Sequence, residues 1–124
     1  MIVDTNVVIY SIRPEFEMLR DYLDANRSRL RVSQIIKIET LGYHKLTTED
    51  RIKFEVFFQI VPSFSLSEQI INEAIRLRQQ RKRSLGDAII AATALLHQLP
   101  LLTNNTADFA DMDGLQLISL QSIR

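Results

Sequence analysis

Four acids in this chain stand where a carboxylate needs a reason. Asp4 directly follows the apolar pair Ile2-Val3, Asp87 opens the apolar run Ala88 to Leu96, and Asp108 comes shortly after Leu101-Leu102-Thr103. Glu39 falls among Ile35, Ile36, Gly42 and Tyr43 when its surroundings are projected as a helix, away from Lys37 and Thr40, so the projection points it inward. A carboxylate taken out of water costs several kcal/mol unless a cation or hydrogen-bond donors answer it. Singly, each acid has an ordinary role: a buried ion pair for Glu39, a favourable macrodipole position for Asp87, a turn or cap for Asp4 and Asp108. Jointly they occupy positions that can meet in one crevice, and converging anions are stable only if protons or a hard cation neutralise them. The chain has no cysteine, and its only histidines are His44 and His97, so oxygen ligands would select Mg²⁺ or Mn²⁺ over zinc. Such an ion polarises a phosphoryl oxygen and lowers the pKa of a ligated water; two ions about 3.5 to 4 Å apart would also stabilise the leaving oxygen. The chemistry these residues point to is phosphodiester hydrolysis.

Elements that could position them follow from periodicity. Ile2-Val3 reads as a strand ending at the turn- and cap-forming Asp4-Thr5-Asn6. Residues 14–26 read as an amphipathic helix opened by Pro14, 30–33 as a strand, and 35–46 as a helix after a possible Ser33 cap. A further helix is expected from about Thr47 to Phe58, then a strand at Ile60-Val61 stopped by Pro62. Ser67 caps the next helix, with Ile70, Ile71, Ala74, Ile75 and Leu77 on its buried side. Residues 86–98, apolar nearly all round, predict a centrally buried helix, and 101–103 and 115–120 predict the last strands. Strands alternating with helices argue for a three-layer α/β/α domain around a central parallel sheet, in which ligands sit beyond the carboxyl ends of the strands.

A length of 124 residues predicts a single domain over 1–124, and the hydrophobic fraction of 46% against 24% charged excludes disordered and low-complexity classes. Acidic and basic residues cancel at 15 each, so nucleic-acid binding would have to come from a local patch. With no apolar run of membrane-spanning length and no cationic leader, a cytoplasmic protein without membrane association is expected. The absence of cysteine fits a reducing compartment.

At the level of motifs, Asp4-Thr5-Asn6-Val7-Val8-Ile9, Glu39 within Ser33 to Glu39, Asp87 within Asp87 to Ala94, and Thr103-Asn104-Asn105-Thr106-Ala107-Asp108-Phe109 together resemble the successive motifs of PIN-domain ribonucleases. The size and order are similar to VapC toxins of toxin-antitoxin pairs. The opening motif is weak by itself; the specific signal is four motifs in order, their acids separated by 35, 48 and 21 residues. The resemblance implies a Mg²⁺- or Mn²⁺-dependent endoribonuclease whose metal is held by Asp4, Glu39, Asp87 and an acid of the last motif. Asp108 is taken as that acid. Asn105, which stands where many relatives carry the acid, is the alternative ligand. The same resemblance implies Asn6 and Thr103 as supporting groups around the ligands. It also implies an RNA substrate, a small antitoxin that inserts a basic side chain into the acidic pocket, and a homodimer. Gln98 replaces a glycine frequent in relatives, a departure that concerns loop geometry.

The basic run Arg76, Arg78, Arg81, Lys82 and Arg83 lies just upstream of Asp87 and is the candidate RNA-phosphate surface, its alternative being a solvated helix end. His44, placed on the helix after Ser33, and His97, at the end of the buried helix, read as packing or capping residues rather than general bases. Two rival readings remain: a non-catalytic RNA-binding or regulatory module with the same fold, and a phosphoacceptor domain of receiver type. The second is disfavoured by the position of Asp4 and by Asn104-Asn105 where a lysine would follow the late strand.

Overall fold

The computed structural model describes residues 1–123. Five parallel strands form the centre: β1 (Ile2–Val3), β2 (Val32–Ser33), β3 (Ser63–Phe64), β4 (Leu101–Thr103) and β5 (Leu117–Ser119). β1 pairs with β4 and β4 with β5, while β2 pairs with β3. A parallel bridge between Ile2 and Arg31, with Val3 N–H donating to Arg31 O at 3.0 Å, joins the two groups. The order across the sheet is thus β3-β2-β1-β4-β5. Parallel neighbours need crossovers, and helices supply them: α1 (Thr5–Ser11), α2 (Glu17–Ala25), α3 (Gln34–Leu41), α4 (Thr48–Ile60), α5 (Glu68–Gln80) and α6 (Leu85–His97). This is the helix-rich parallel α/β architecture that the alternation of elements predicts.

The core explains the compositional pattern. α6 packs across β1 and β2, and Ala88 to Ala94 are all buried, which is why no polar face is visible in that helix. The strands are short, and the three inner ones are fully covered: Ile2, Val3, Val32, Leu101 and Leu102 are each 0% exposed, while the edge strands β3 and β5 are half-buried. Two of the three interior strands start on a proline acceptor, Ile2 N–H of β1 donating to Pro100 O at 2.8 Å and Val32 N–H of β2 to Pro62 O at 3.2 Å. Proline lacks a donor but keeps its carbonyl, so it can begin a ladder that it cannot continue.

Several expected elements are corrected. Residues 5–11 form a helix that a run of β-branched residues conceals; Asp4 caps it, its carboxylate accepting from Thr5 N–H at 2.8 Å. The helix expected over 14–26 is a 3₁₀ turn at 14–16 followed by α2. α3 stops at Leu41, where Gly42 forms its C-cap, so His44 lies in the following turn, exposed beside Tyr43. α4 runs through Ile60 and the strand begins after Pro62, not before it. On α5, Ile70, Ala74 and Leu77 are buried as expected, whereas Ile71 and Ile75 face solvent because the core-facing stripe is narrower than the apolar content suggests. Among the described residues no helix is long and apolar enough to cross a membrane.

Candidate active site

Parallel topology brings the carboxyl ends of β1, β2 and β4 to one edge of the sheet, and the predicted acids come with them. Asp4 leaves β1, Glu39 projects from α3 just beyond β2, Asp87 sits in the first turn of α6, and Asp108 ends a 3₁₀ turn shortly after β4. All four line one cavity of about 120 Å³, together with Thr5, Asn6, Asn105 and Phe109. Larger cavities exist elsewhere; this one gathers four carboxylates from four separate stretches of the chain.

Asp4 is the innermost acid, 6% exposed, with both oxygens engaged: Oδ1 accepts from Thr5 N–H at 2.8 Å and Oδ2 from the Thr103 hydroxyl at 2.8 Å. Thr103 is itself 0% exposed and its Oγ1 accepts from Asn105 N–H at 3.0 Å, so one hydroxyl links the Asp4 carboxylate to the loop after β4. Burial raises the pKa of Asp4 despite these two donors, and the negative charges of Asp87 and Glu39 raise it further. Burial likewise raises that of Asp87, followed by the charge of Asp108; Glu39 adds to the effect while Ser84 and Arg83 oppose it. Ser84 is the N-cap of α6, its hydroxyl accepting from Asp87 N–H at 3.1 Å. Mutual repulsion is therefore built into the cleft.

Glu39 requires a correction. It does not lie inside an apolar face but is exposed on the solvent side of α3. α3 buries Ile36 and Thr40, and the Thr40 hydroxyl, which the projection placed on the polar side, is satisfied by Ile36 O at 2.8 Å. Ile38 and Tyr43 are exposed, so the apolar residues around Glu39 do not mark a buried stripe. Its carboxylate nevertheless turns to the cleft, where Oε1 accepts from the Thr5 hydroxyl at 2.6 Å. Oε2 lies against Gly86, where a Cβ would stand only 2.7 Å away.

Asn105 and Asp108 are not alternatives in space. Both line the cavity, and the Asn105 amide donates to the Asp108 carboxylate. Asn6 lines the cavity as well, from an exposed position on α1. Two residues the sequence reading did not single out belong to the site: Thr5, which holds Glu39, and Gly86, whose missing side chain gives Glu39 its place. The only sequence signal for either was adjacency to an acid.

The basic run divides. Arg83 is not presented to RNA: its side chain is 2% exposed, Nε donates to Leu77 O at 2.8 Å, and Nη2 meets Asp111 Oδ2 at 3.1 Å. Arg81 also pairs with Asp111, at 3.2 Å, and Arg76 pairs with Glu73 on its own helix. Arg78 and Lys82 are exposed and, among the described residues, have no carboxylate partner. His97 stacks on Phe64 with ring centroids 3.7 Å apart, a packing role as expected.

The donor set suits a hydrated divalent ion. Among the described residues no three acidic side chains converge closely enough to form a ready-made cage. A magnesium-sized ion does not need one: it dehydrates reluctantly, keeps several waters and binds through one or two carboxylates plus substrate phosphate. The cleft, at about 120 Å³, well exceeds the ~10 to 15 Å³ that one water needs, so a partly hydrated hard cation has room between these carboxylates. All-oxygen donors and unrelieved repulsion between Asp4, Glu39, Asp87 and Asp108 favour the same occupant.

A parallel α/β domain with one acid-lined crevice at its carboxyl edge is what fold and site together define. The PIN domain family matches residues 1–115, and the chain belongs to that family. It is similar to ribonuclease VapC1 of Rickettsia felis, 29% identical over 135 residues that span 98% of this chain and 97% of that protein. Among solved structures, a toxin-antitoxin complex from Klebsiella pneumoniae contains a chain 31% identical, with a TM-score of 0.76 over 95% of both chains. VapBC2 from Rickettsia felis, bound to a DNA fragment from its promoter, has a chain with a TM-score of 0.83 at 20% identity over 95% of this chain and 96% of that one, a likeness of fold.

Proposed function

We propose that the chain is an endoribonuclease of the VapC type, the toxin of a toxin-antitoxin pair, cutting RNA phosphodiester bonds with Mg²⁺ or Mn²⁺ held by Asp4, Glu39, Asp87 and Asp108. The observation that carries this reading is that acids from four separate stretches of the chain line one small cavity at the carboxyl edge of the sheet. The bound ion would supply a polarised phosphoryl oxygen and an activated water. This chain's own residues do the rest. Thr103 and the Thr5 amide hold Asp4 in place and oppose the rise that burial gives its pKa, the Thr5 hydroxyl orients Glu39, and Ser84 fixes the first turn of α6 that carries Asp87. Asn105 steadies Asp108 and adds a neutral oxygen to the donor set. Arg78 and Lys82 supply the phosphate contacts, a smaller surface than the basic run as a whole suggests.

The antitoxin would lie in the groove of about 530 Å³ that shares Glu39 with the acidic cleft and is walled by Ile9, Ile12, Tyr43, Leu46 and Phe54. An apolar segment seated there can extend a basic side chain to the carboxylates. The exposed stripe Ile52, Val56 and Ile60 on α4 supports a homodimer or a second part of the antitoxin contact. The whole chain works as one domain in the cytoplasm, where RNA substrates are reached. The test is incubation of the purified chain with total RNA, with Mg²⁺, Mn²⁺ or EDTA, followed by end mapping. Discrete cuts that require the metal and vanish in Asp87→Asn are expected; binding without cutting would favour the non-catalytic alternative.

A further inference from the structure

We propose that Arg83 is a positioning residue that clamps together the two stretches carrying Asp87 and Asp108, through Asp111 and the end of α5. The inference rests on the cleft being the nuclease site. Arg83 lies one residue before the Ser84 cap of α6 and four before Asp87. Its Nε is bound to Leu77 O on α5, and its terminal nitrogens reach both oxygens of Asp111, at 3.4 Å and 3.1 Å. Asp111 is three residues beyond Asp108, between the buried Phe109 and Met112. One guanidinium therefore ties α5, the lead-in to α6 and the segment after β4.

That segment needs such a tie. Between β4 and β5 its backbone is held by turn bonds of the i to i−3 kind, Asp108 N–H to Asn105 O at 3.1 Å, Phe109 N–H to Thr106 O at 3.1 Å and Met112 N–H to Phe109 O at 3.2 Å. It nevertheless carries a carboxylate that Asp87 repels. A buried charge is a costly way to fill space, and a well-packed apolar side chain would do it at lower cost. What the guanidinium adds is a planar fork that holds a carboxylate in one orientation while a remaining N–H caps a helix carbonyl, a geometry lysine cannot reproduce. Arg81, pairing with the same carboxylate at the surface, reinforces the attachment.

The full chain and its Asp111→Asn, Asp111→Glu and Arg83→Lys variants test this. Asp111 is the exposed partner, at 37%, and asparagine keeps one acceptor oxygen for the buried guanidinium, while Asp111→Glu keeps the charge and guards against a merely global loss of stability. In Asp111→Asn and Arg83→Lys the amides of Asp108, Phe109 and Met112 should exchange hydrogen about tenfold faster than in the native chain, relative to amides of β1, β4 and the interior of α6, as expected for losing a charged hydrogen bond. Calorimetric Mn²⁺ affinity should fall severalfold, short of the ~10-fold or more that losing a direct hydrogen-bond partner of a ligand costs, and Asp111→Glu should recover most of both effects. Exchange that rises uniformly across the chain, or native Mn²⁺ affinity in Asp111→Asn, would overturn the proposal. If the native chain itself binds no Mn²⁺, it is the reading of the cleft that fails, and local exchange alone decides the clamp.

Discussion

Replacing Gly86 by alanine separates the stability of this protein from its chemistry. The added Cβ would stand 2.7 Å from Glu39 Oε2, 3.2 Å from Cδ and 3.3 Å from Oε1, against ordinary contacts that begin at 3.4 Å. The carboxylate must therefore retreat by at least about 0.7 Å, the difference between 3.4 and 2.7 Å. Because it ends a flexible, exposed side chain, the retreat is inexpensive for the fold; the 2.6 Å bond from the Thr5 hydroxyl is what it gives up. That loss, about 1 kcal/mol at most for an exposed pair, is offset by the gain of about 1 kcal/mol from alanine over glycine in a helix. Unfolding in urea should thus move by less than about 1 kcal/mol in either direction. Activity should not be spared, since misplacing a reacting group by ~1 Å costs on the order of 100-fold. The assay pairs urea unfolding with Mn²⁺-dependent cleavage of an RNA whose cut site has been mapped. Native cleavage in a Gly86→Ala protein would refute the placement of Glu39 at the working site.

Other expectations follow from charge and backbone geometry. Burial raises the pKa of Asp87 above the ordinary 3.8, so between that value and the raised one the folded state holds the extra proton; stability falls as pH rises through the window, and the full penalty is present at neutral pH. Asp87→Asn should therefore be more stable than the native chain at pH 7 without metal, with a difference that shrinks toward zero below about pH 4, as urea midpoints across pH would show. Added Mg²⁺ should stabilise the native chain but not this variant, and chelation should reverse the gain. Gln98 closes α6 at φ 53°, a left-handed position that costs a side chain about 1 kcal/mol, so Gln98→Gly should stabilise by ~0.5 to 1 kcal/mol in the same assay without changing cleavage. Neutralising Arg78 and Lys82 together should weaken RNA binding and reduce the slope of log affinity against log salt by about 1.4, two contacts at ~0.7 each; an unchanged slope would remove this surface from the account.

How far the sequence could be read depended on whether one element or several decided the outcome. α6 was legible because its apolar run is long and its first-turn acid is local, although its Ser84 cap was not read. β4 was legible because it is apolar and bounded by Pro100 and Asn104. α1 was not, since Val7, Val8 and Ile9 have strand-like preferences that packing against β4 overrides. The four acids could be named from motif order, but projection misjudged Glu39: an eight-residue helix with exposed Ile38 does not reveal which edge faces a cleft built by other elements. Arg83 was misassigned for the same reason. Its partner Asp111 is 28 residues away, and only the folded chain brings the two together. The Thr5 hydroxyl and Gly86 act through a carboxylate more than 30 residues distant in sequence, a relation no local pattern carries.

Soaking crystals of the chain with MnCl₂ and locating the ion by its anomalous scattering tests the central claim most directly. The account predicts a peak in the cleft, about 2.2 Å from an oxygen of at least one of Asp4, Asp87 and Asp108, with the Glu39 carboxylate drawn toward it directly or through water. No peak there at saturating Mn²⁺, or a peak only at surface carboxylates outside the cleft, would contradict it.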